Sequence, residues 1–135
     1  MNDIETTLFE TAKRVRRAAH APYSHYHVGA AVLDEEGRIH AGCNVENAAY
    51  PQGICAEANA IGSMVAGGGR RIVRIAIVGG PSGNAGLEDC TPCGGCRQRI
   101  LEFADAATVV TLEGADGKRR DFSIEDLLPF SFQLK

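Results

Sequence analysis

Five cysteines and one glutamate carry most of the chemistry that this sequence could perform. Cys93 and Cys96 stand three residues apart within CTPCGGCRQ, a segment that begins at Cys90. Cys55 is followed two residues later by Glu57. Two thiols three residues apart at the start of a helix can lie on one side of its first turn and meet one ion. Redox pairs, structural zinc and catalytic zinc all use C-x-x-C, so this pair alone leaves all three open.

The two-residue spacing of Cys55 and Glu57 constrains where the helix that contains Glu57 can begin. Residues two apart in a regular α-helix project about 200° from each other, so both can serve one site only if Cys55 lies at the very start of the helix. Three thiolates from two helix N-termini would leave a zinc ion one open position, where the metal lowers the pKa of a bound water. Glu57, close to the metal without binding it, could then move the water's proton.

The charge of such a site needs an offset. Zinc with three thiolates carries a formal charge of −1, which weakens its pull on the electrons of a water. Each helix N-terminus presents roughly half a positive charge to the thiolates. Arg97, directly after Cys96, is expected to add to that positive potential.

Hydrophobic periodicity places these residues on alternating helices and strands. An opening helix starts near Ile4 and ends before Pro22, and a β-hairpin turns at DEEGR. Two further helices are predicted over 55–66 and from Cys93 to 104, and two further strands over 72–78 and 108–113. A loop over 79–92 and a turn over 115–120 connect them. A short helix is predicted near 123–128, where Ser123 and Asp126 have capping-box spacing. This alternation favours an α/β sandwich, in one domain over residues 1–135.

Composition narrows the classes of protein. The chain has 135 residues, of which 44% are hydrophobic and 23% charged, and a formal net charge of −3, which argues against a large nucleic-acid surface. The N-terminus lacks the apolar core of a signal peptide, and no stretch is long enough to span a membrane. We therefore expect a cytoplasmic protein, in which an odd number of grouped cysteines favours metal binding or catalysis over disulfides.

Four segments together resemble one protein family. APYSHYHVGAAV, GCNVENAAYPQGICAE, CTPCGGCRQ and LLPFSF follow one another between residues 21 and 132, in the order found in zinc-dependent cytidine deaminases of the small homotetrameric type. The resemblance implies a three-layer α/β/α sandwich around a mixed, five-stranded sheet. It implies one zinc ion per chain, bound by Cys55, Cys93 and Cys96, with Glu57 as the proton shuttle.

The same resemblance implies a substrate and an assembly. The reaction is the hydrolytic deamination of cytidine and 2'-deoxycytidine to uridine and 2'-deoxyuridine, with release of ammonia, in pyrimidine salvage. The implied substrate contacts are Asn44 and Glu46 on the sugar 3'-hydroxyl, the Ala56 backbone amide on the pyrimidine carbonyl, Tyr26 against the base, Tyr50 near the subunit contact and Phe132 reaching into a neighbouring subunit's site. A homotetramer with shared sites follows from the last two.

Two positions depart from the family pattern, and several alternatives stay open. Ala58 stands where many members have an arginine that bonds a zinc thiolate, and Tyr26 replaces the usual phenylalanine. Both leave room for a deaminase that acts on a modified cytosine nucleoside or a nucleoside antibiotic. A non-enzymatic zinc or iron-sulfur module is the alternative from another class, although Ile100 stands where an iron-sulfur run would place a fourth cysteine. Cys90 is expected to be a bystander.

Overall fold

A mixed five-stranded sheet forms the centre of the computed structural model, which describes residues 3–81 and 86–134. The strands are β1 (Tyr26–Asp34), β2 (Ile39–Cys43), β3 (Ile72–Pro81), β4 (Val109–Glu113) and β5 (Arg119–Phe122). Their spatial order is β2-β1-β3-β4-β5. β3 and β4 pair in parallel and every other neighbouring pair is antiparallel, so the prediction of a mixed, five-stranded sheet is confirmed.

Helices cover both faces of this sheet. They are α1 (Asp3–Arg16), α2 (Ala56–Ala66), α3 (Gly94–Glu102) and α4 (Ile124–Leu127), and a single 3₁₀ turn spans Tyr50–Gln52. α1 packs on one face, where its Leu8 and Phe9 meet Ala76 and Val78 of β3. α2, α3 and α4 pack on the other face. The three-layer α/β/α sandwich is confirmed.

The alternation of side chains along β1 explains why one strand serves both layers. Successive strand residues point to opposite faces: Ala30 and Val32 belong to the core under α2 and α3, whereas Ala31 belongs to the core under α1. β3 is buried over most of its length, which is why its sequence IVRIAIV is apolar apart from Arg74.

Most predicted boundaries hold within a few residues, and two differ for visible reasons. The opening helix ends at Arg16, after which the amides of Arg17, Ala18 and Ala19 bond carbonyls three residues earlier in tight turns. The predicted turn over 115–120 is too long, because Arg119 already begins β5. This short edge strand has charged and half-buried residues and so lacks an apolar signature. The capping box of Ser123 and Asp126 is confirmed.

Gly42 sets the distance between β2 and α2. A Cβ at this position would lie 2.4 Å from the backbone nitrogen of Ala60 and 2.7 Å from the carbonyl oxygen of Ala56. Both atoms belong to the backbone of α2, so no side-chain movement could relieve such a contact. The missing side chain lets the helix lie directly on the strand and thereby fixes the start of α2.

The turn of the β1–β2 hairpin is organised by a buried carboxylate. Asp34 is 1% exposed, and its Oδ1 accepts hydrogen bonds from the backbone amides of Glu36 and Arg38 at 2.9 and 3.0 Å. Its Oδ2 lies 3.1 Å from Nε of Arg38 and 2.8 Å from Nε2 of His40. Burial raises the pKa of Asp34, but bonds from His40 and the backbone outweigh it and lower the pKa to about 2.

Candidate metal centre and active site

Cys55 and Cys93 each occupy the N-cap position of a helix, α2 and α3 respectively. Both have extended backbone angles, with φ −72° and ψ 154° at Cys55 and φ −65° and ψ 166° at Cys93. Neither thiol caps its own helix. The prediction that Cys55 lies at the non-helical start of its helix is confirmed.

The three predicted thiol ligands meet at one point. The Sγ atoms of Cys55, Cys93 and Cys96 all lie within 4.8 Å of one another, and those of Cys55 and Cys93 are 3.9 Å apart. Zinc–sulfur bonds of about 2.3 Å in a tetrahedron require a sulfur–sulfur distance of about 3.8 Å. Three soft donors at this spacing fit one zinc ion and leave its fourth position to a non-protein ligand.

The electrostatics of the thiols also favour a cation between them. Burial raises the pKa of Cys55, and the neighbouring Cys93 raises it further. Burial and the charges of Glu57 and the other two thiols raise the pKa of Cys96. Burial opposes ionisation of Cys93 too, yet hydrogen bonds from Cys96 outweigh it and lower the pKa of Cys93. A divalent ion would supply the charge that allows all three to be thiolates together.

Glu57 is the second residue of α2 and is 4% exposed. Burial raises the pKa of this carboxyl group, while its own backbone amide and the charge of Arg99 act in the opposite direction. A carboxyl group with a raised pKa exchanges protons more readily near neutral pH than an exposed one. Glu57 influences the pKa of all three metal-site thiols, so it lies beside the cluster.

Arg97 directs its side-chain hydrogen bonds to backbone carbonyls, and a different arginine contacts a thiol. Nε of Arg97 donates to the carbonyl of Pro92 at 2.8 Å, and Nη1 donates to the carbonyl of Leu127 at 2.8 Å. Arg97 thus ties the entry of α3 to the end of α4. Nη1 of Arg99, in contrast, lies 3.7 Å from Sγ of Cys96. The spacing of three residues from Cys96 was the sequence signal for this contact.

Cys90 lies outside the metal cluster but is not remote from the site. Its Sγ would be 2.7 Å from a Cβ at Gly79, so the thiol rests on the bare backbone of β3. Burial and the charge of Glu57 raise its pKa to about 11. Cε2 of Tyr26 would be 3.2 Å from that same Cβ at Gly79, so Cys90 lies close to a predicted substrate residue, a proximity that no sequence pattern predicts.

Tyr26 opens β1 beside this thiol. Burial raises the pKa of the Tyr26 phenol, and the negative charges of Cys90 and Glu88 raise it further, so the hydroxyl stays protonated. His27, the next residue on the strand, projects to the opposite face, the side of Gly29 and α1. His27 therefore does not share the face of β1 on which Tyr26 lies.

Asn44 joins the end of β2 to the start of β1. Its Oδ1 accepts from the amide of Val28 at 2.9 Å, and its Nδ2 donates to the carbonyl of Tyr26 at 2.9 Å. An amide group can accept two bonds and donate two, so each end keeps one further bond for a ligand. The side chain is held by β1 in a fixed orientation.

Glu46 holds the loop that leads into β1. Its Oε1 accepts from the amides of Tyr23 and Ser24 at 3.0 and 3.1 Å, and its Oε2 bonds the hydroxyl of Ser24. These hydrogen bonds lower the pKa of Glu46, so the group is a carboxylate at neutral pH. Glu46 also lines an open cavity of about 330 Å³ with Tyr23, Ser24, Asn47, Tyr50 and Gly53.

The remaining predicted substrate contacts, Ala56, Tyr50 and Phe132, differ in solvent exposure. Ala56 is fully buried as the first residue of α2, where a backbone amide has no partner within the helix. Tyr50 is 77% exposed and forms an edge contact with Tyr23, with ring centroids 6.2 Å apart. Phe132 is 67% exposed, and its carbonyl accepts a hydrogen bond from Gln98 of α3. Phe132 also lines a cavity with Leu101 and Glu102 of α3.

Fold and site together define a zinc enzyme in which a buried carboxyl group stands beside an open metal position. Comparison of the sequence with known protein families identifies the family to which the chain belongs. Residues 2–112 match the sequence profile described as cytidine and deoxycytidylate deaminase zinc-binding region. The chain therefore belongs to that deaminase family.

Relatives match over nearly the whole chain. A cytidine deaminase of Sporosarcina psychrophila is 38% identical over 130 residues, which is 96% of this chain and 91% of that protein. The crystal structure of a cytidine deaminase from Burkholderia pseudomallei is 40% identical with a TM-score of 0.85, covering 98% of this chain and 100% of that one. That of a Mycobacterium tuberculosis cytidine deaminase is 34% identical with a TM-score of 0.80, covering 96% and 98%.

Proposed function

We propose that this protein hydrolyses cytidine and 2'-deoxycytidine to uridine and 2'-deoxyuridine with release of ammonia. The observation that carries the proposal is the convergence of three thiols with one buried glutamate at the N-termini of two helices. When bound by Cys55, Cys93 and Cys96, zinc would activate a water molecule for attack on C4 of the cytosine ring.

Glu57 would carry the protons of this reaction. Its raised pKa lets it accept the proton of the water and pass it to ring N3, which makes C4 more electrophilic. The same carboxyl group would later supply the proton with which the amino group leaves as ammonia. Burial in the first turn of α2 keeps this exchange away from bulk solvent.

The sugar and base contacts are proposals supported by position. Glu46 is an ionised acceptor and Asn44 a fixed amide beside it, so together they suit a hydroxyl that both donates and accepts. We assign them to the 3'-hydroxyl of the sugar. The Ala56 amide would bond the pyrimidine carbonyl, and Tyr26 would lie against the base.

Exposed aromatic side chains support an assembly of four identical chains. Tyr50 and Phe132 are largely exposed in the single chain, and Phe132 is flanked along the chain by the exposed Phe130 and Leu134, a grouping typical of an interaction surface. In the proposed homotetramer Tyr50 lies near a subunit contact and Phe132 completes a neighbour's site. We also propose that residues 1–135 form one domain, since the described elements share one sheet.

We further propose a cytoplasmic role in pyrimidine salvage. Five free thiols suit a reducing compartment. None of the described helices has the length and apolar character needed to span a bilayer.

A direct assay tests the proposed function. The purified protein is analysed for zinc per chain, and ultraviolet absorbance is followed with cytidine, 2'-deoxycytidine and free cytosine. We expect zinc near one per chain, turnover of both nucleosides, and far weaker turnover of cytosine because it lacks the sugar hydroxyl that Asn44 and Glu46 would bind. Fully zinc-loaded protein that is inactive on both nucleosides would refute the proposal while leaving the metal site intact.

A further inference from the structure

Arg99 approaches the innermost thiol of the metal cluster. Its Nη1 lies 3.7 Å from Sγ of Cys96, and Cys96 is 0% exposed. A hydrogen bond from a guanidinium to an ionised sulfur is charge-assisted and stronger than a bond between neutral groups. The thiol that is most shielded from water therefore receives its polar partner from the protein.

The geometry of α3 accounts for the contact. Residues three apart lie on the same face of a helix, and helical side chains lean toward the N-terminus, so Arg99 reaches back one turn to Cys96. Gly95 leaves space for it, because a Cβ there would lie 3.3 Å from Nη1 of Arg99. Arg97, in contrast, donates its hydrogen bonds to the backbone carbonyls of Pro92 and Leu127.

The net charge around the thiol cluster is negative, so a nearby cation would stabilise it. Zinc and three thiolates sum to −1, and buried Glu57 adds a second negative charge when ionised. Arg99 is a permanent cation, which lies 3.7 Å from Sγ of Cys96 and whose charge also acts on Glu57. Among the described residues, Arg99 is the side chain other than cysteine that forms a hydrogen bond with one of these thiols.

We infer that Arg99 is a positioning residue that offsets the negative charge of the zinc–thiolate cluster through its N–H···S bond to Cys96. The inference rests on the proposed function only in requiring zinc at the three thiols. Withdrawing electron density from one sulfur leaves the metal a stronger Lewis acid. Partners of metal ligands typically change metal affinity or activity by about 10- to 100-fold when removed.

Three variants and two metal readouts test the inference. Arg99→Gln removes the charge, Arg99→Lys keeps it on a different head group, and Arg14→Gln removes a charge from the exposed side of α1, across the sheet. Zinc affinity is measured by competition with a colorimetric chelator. The sulfur-to-metal charge-transfer band is recorded after replacement of zinc by Co²⁺.

We expect Arg99→Gln to weaken zinc binding by about 10-fold and to move the Co²⁺ band to longer wavelength, because an unbonded thiolate gives up its electrons more easily. Arg99→Lys should fall between this variant and the wild type, and Arg14→Gln should match the wild type. An Arg99→Gln protein with unchanged affinity and band would overturn the inference, and so would an Arg99→Lys protein no better than Arg99→Gln. Cytidine turnover by the wild type is scored separately, so its failure would reject the proposed function alone.

Discussion

Burial has opposite consequences for the two most enclosed groups of the site. It raises the pKa of Glu57 and thereby suits that carboxyl group to proton exchange near neutrality. It also raises the pKa of Cys96, but a zinc ligand must be a thiolate, so here burial has to be compensated. A bound metal and the cation of Arg99 at 3.7 Å provide that compensation.

Replacing Glu57 by glutamine should separate metal binding from catalysis. The amide preserves shape but carries no exchangeable acid proton, so we expect Glu57→Gln to keep zinc near one per chain and to lose about 10²- to 10⁴-fold in kcat. Zinc analysis and a cytidine assay on the same sample measure both. Glu125→Gln, an exposed change on α4, is the control, and an active Glu57→Gln protein would exclude the assigned shuttle.

Cys90 and Cys93 offer a matched pair of thiols in one segment. Cys93→Ala removes one of three ligands, and we expect zinc content to fall well below one per chain after dialysis. Cys90→Ala removes a thiol that lies near Tyr26 and outside the metal cluster, so zinc should stay near one per chain. Loss of zinc from Cys90→Ala would show that the ligand set is wrong.

At the scale of elements, the close packing of α2 on β2 determines where Cys55 lies. Gly42→Ala would place a methyl group 2.4 Å from the backbone of α2, so the helix must move and carry the N-cap thiol with it. We expect a loss of stability of about 1–3 kcal/mol and weaker zinc retention, measured by urea unfolding and metal analysis.

Gly62→Ala provides the control for this change within α2 itself. A Cβ there meets nothing within 4 Å, and alanine is the better helix former by about 1 kcal/mol. We therefore expect unchanged zinc and equal or higher stability. Equal stability losses in the two variants would contradict the close-packing explanation.

The hairpin turn predicts a pH dependence of stability. The pKa of Asp34 is lowered in the folded state from 3.8 to about 2, so its contribution is complete above pH 3.8 and is lost as the pH falls toward 2. Asp34→Asn should cost about 2 kcal/mol at neutral pH, because charge-assisted bonds are lost in a buried turn. Chemical unfolding between pH 2 and 7 measures both effects. A constant difference between the two proteins at every pH would refute this origin.

At the scale of the whole molecule, the C-terminal segment has no full cover within one chain. Phe130 is 98% exposed, Phe132 67% and Leu134 88%, which is unusual for large apolar residues grouped so closely. We expect a native mass near four chains of 14.3 kDa by sedimentation equilibrium. A monomer at micromolar concentration would reject the proposed assembly.

Shared sites predict that two inactive variants complement each other. Phe132→Ala should lower kcat/KM with zinc retained, and Glu57→Gln should be inactive. When the two proteins are unfolded together and refolded, some sites would combine an intact Glu57 from one chain with an intact Phe132 from another. Activity above the sum of the separately refolded proteins is expected. No gain in a verified mixed tetramer would show that each site is built from one chain.

The sequence by itself determined the class of fold and the position of Cys55 at its helix start, whereas the full set of metal ligands was implied by the resemblance to the deaminase family. The first two follow from local rules: apolar periodicity along helices and strands, and a two-residue offset that regular helix geometry cannot accommodate. The strand β5 escaped these rules, because a short edge strand with polar residues has no apolar period to read.

Only the tertiary structure decided which partners the site residues have. Arg97 and Arg99 stand on either side of Gln98 in CRQR, yet one bonds a carbonyl at the end of α4 and the other a thiol. Cys90 lies close to Tyr26 although 64 positions separate them along the chain, since β1 and β3 pair in register at that edge of the sheet. Such contacts depend on the direction in which side chains leave packed elements, and that direction is fixed only when the layers assemble.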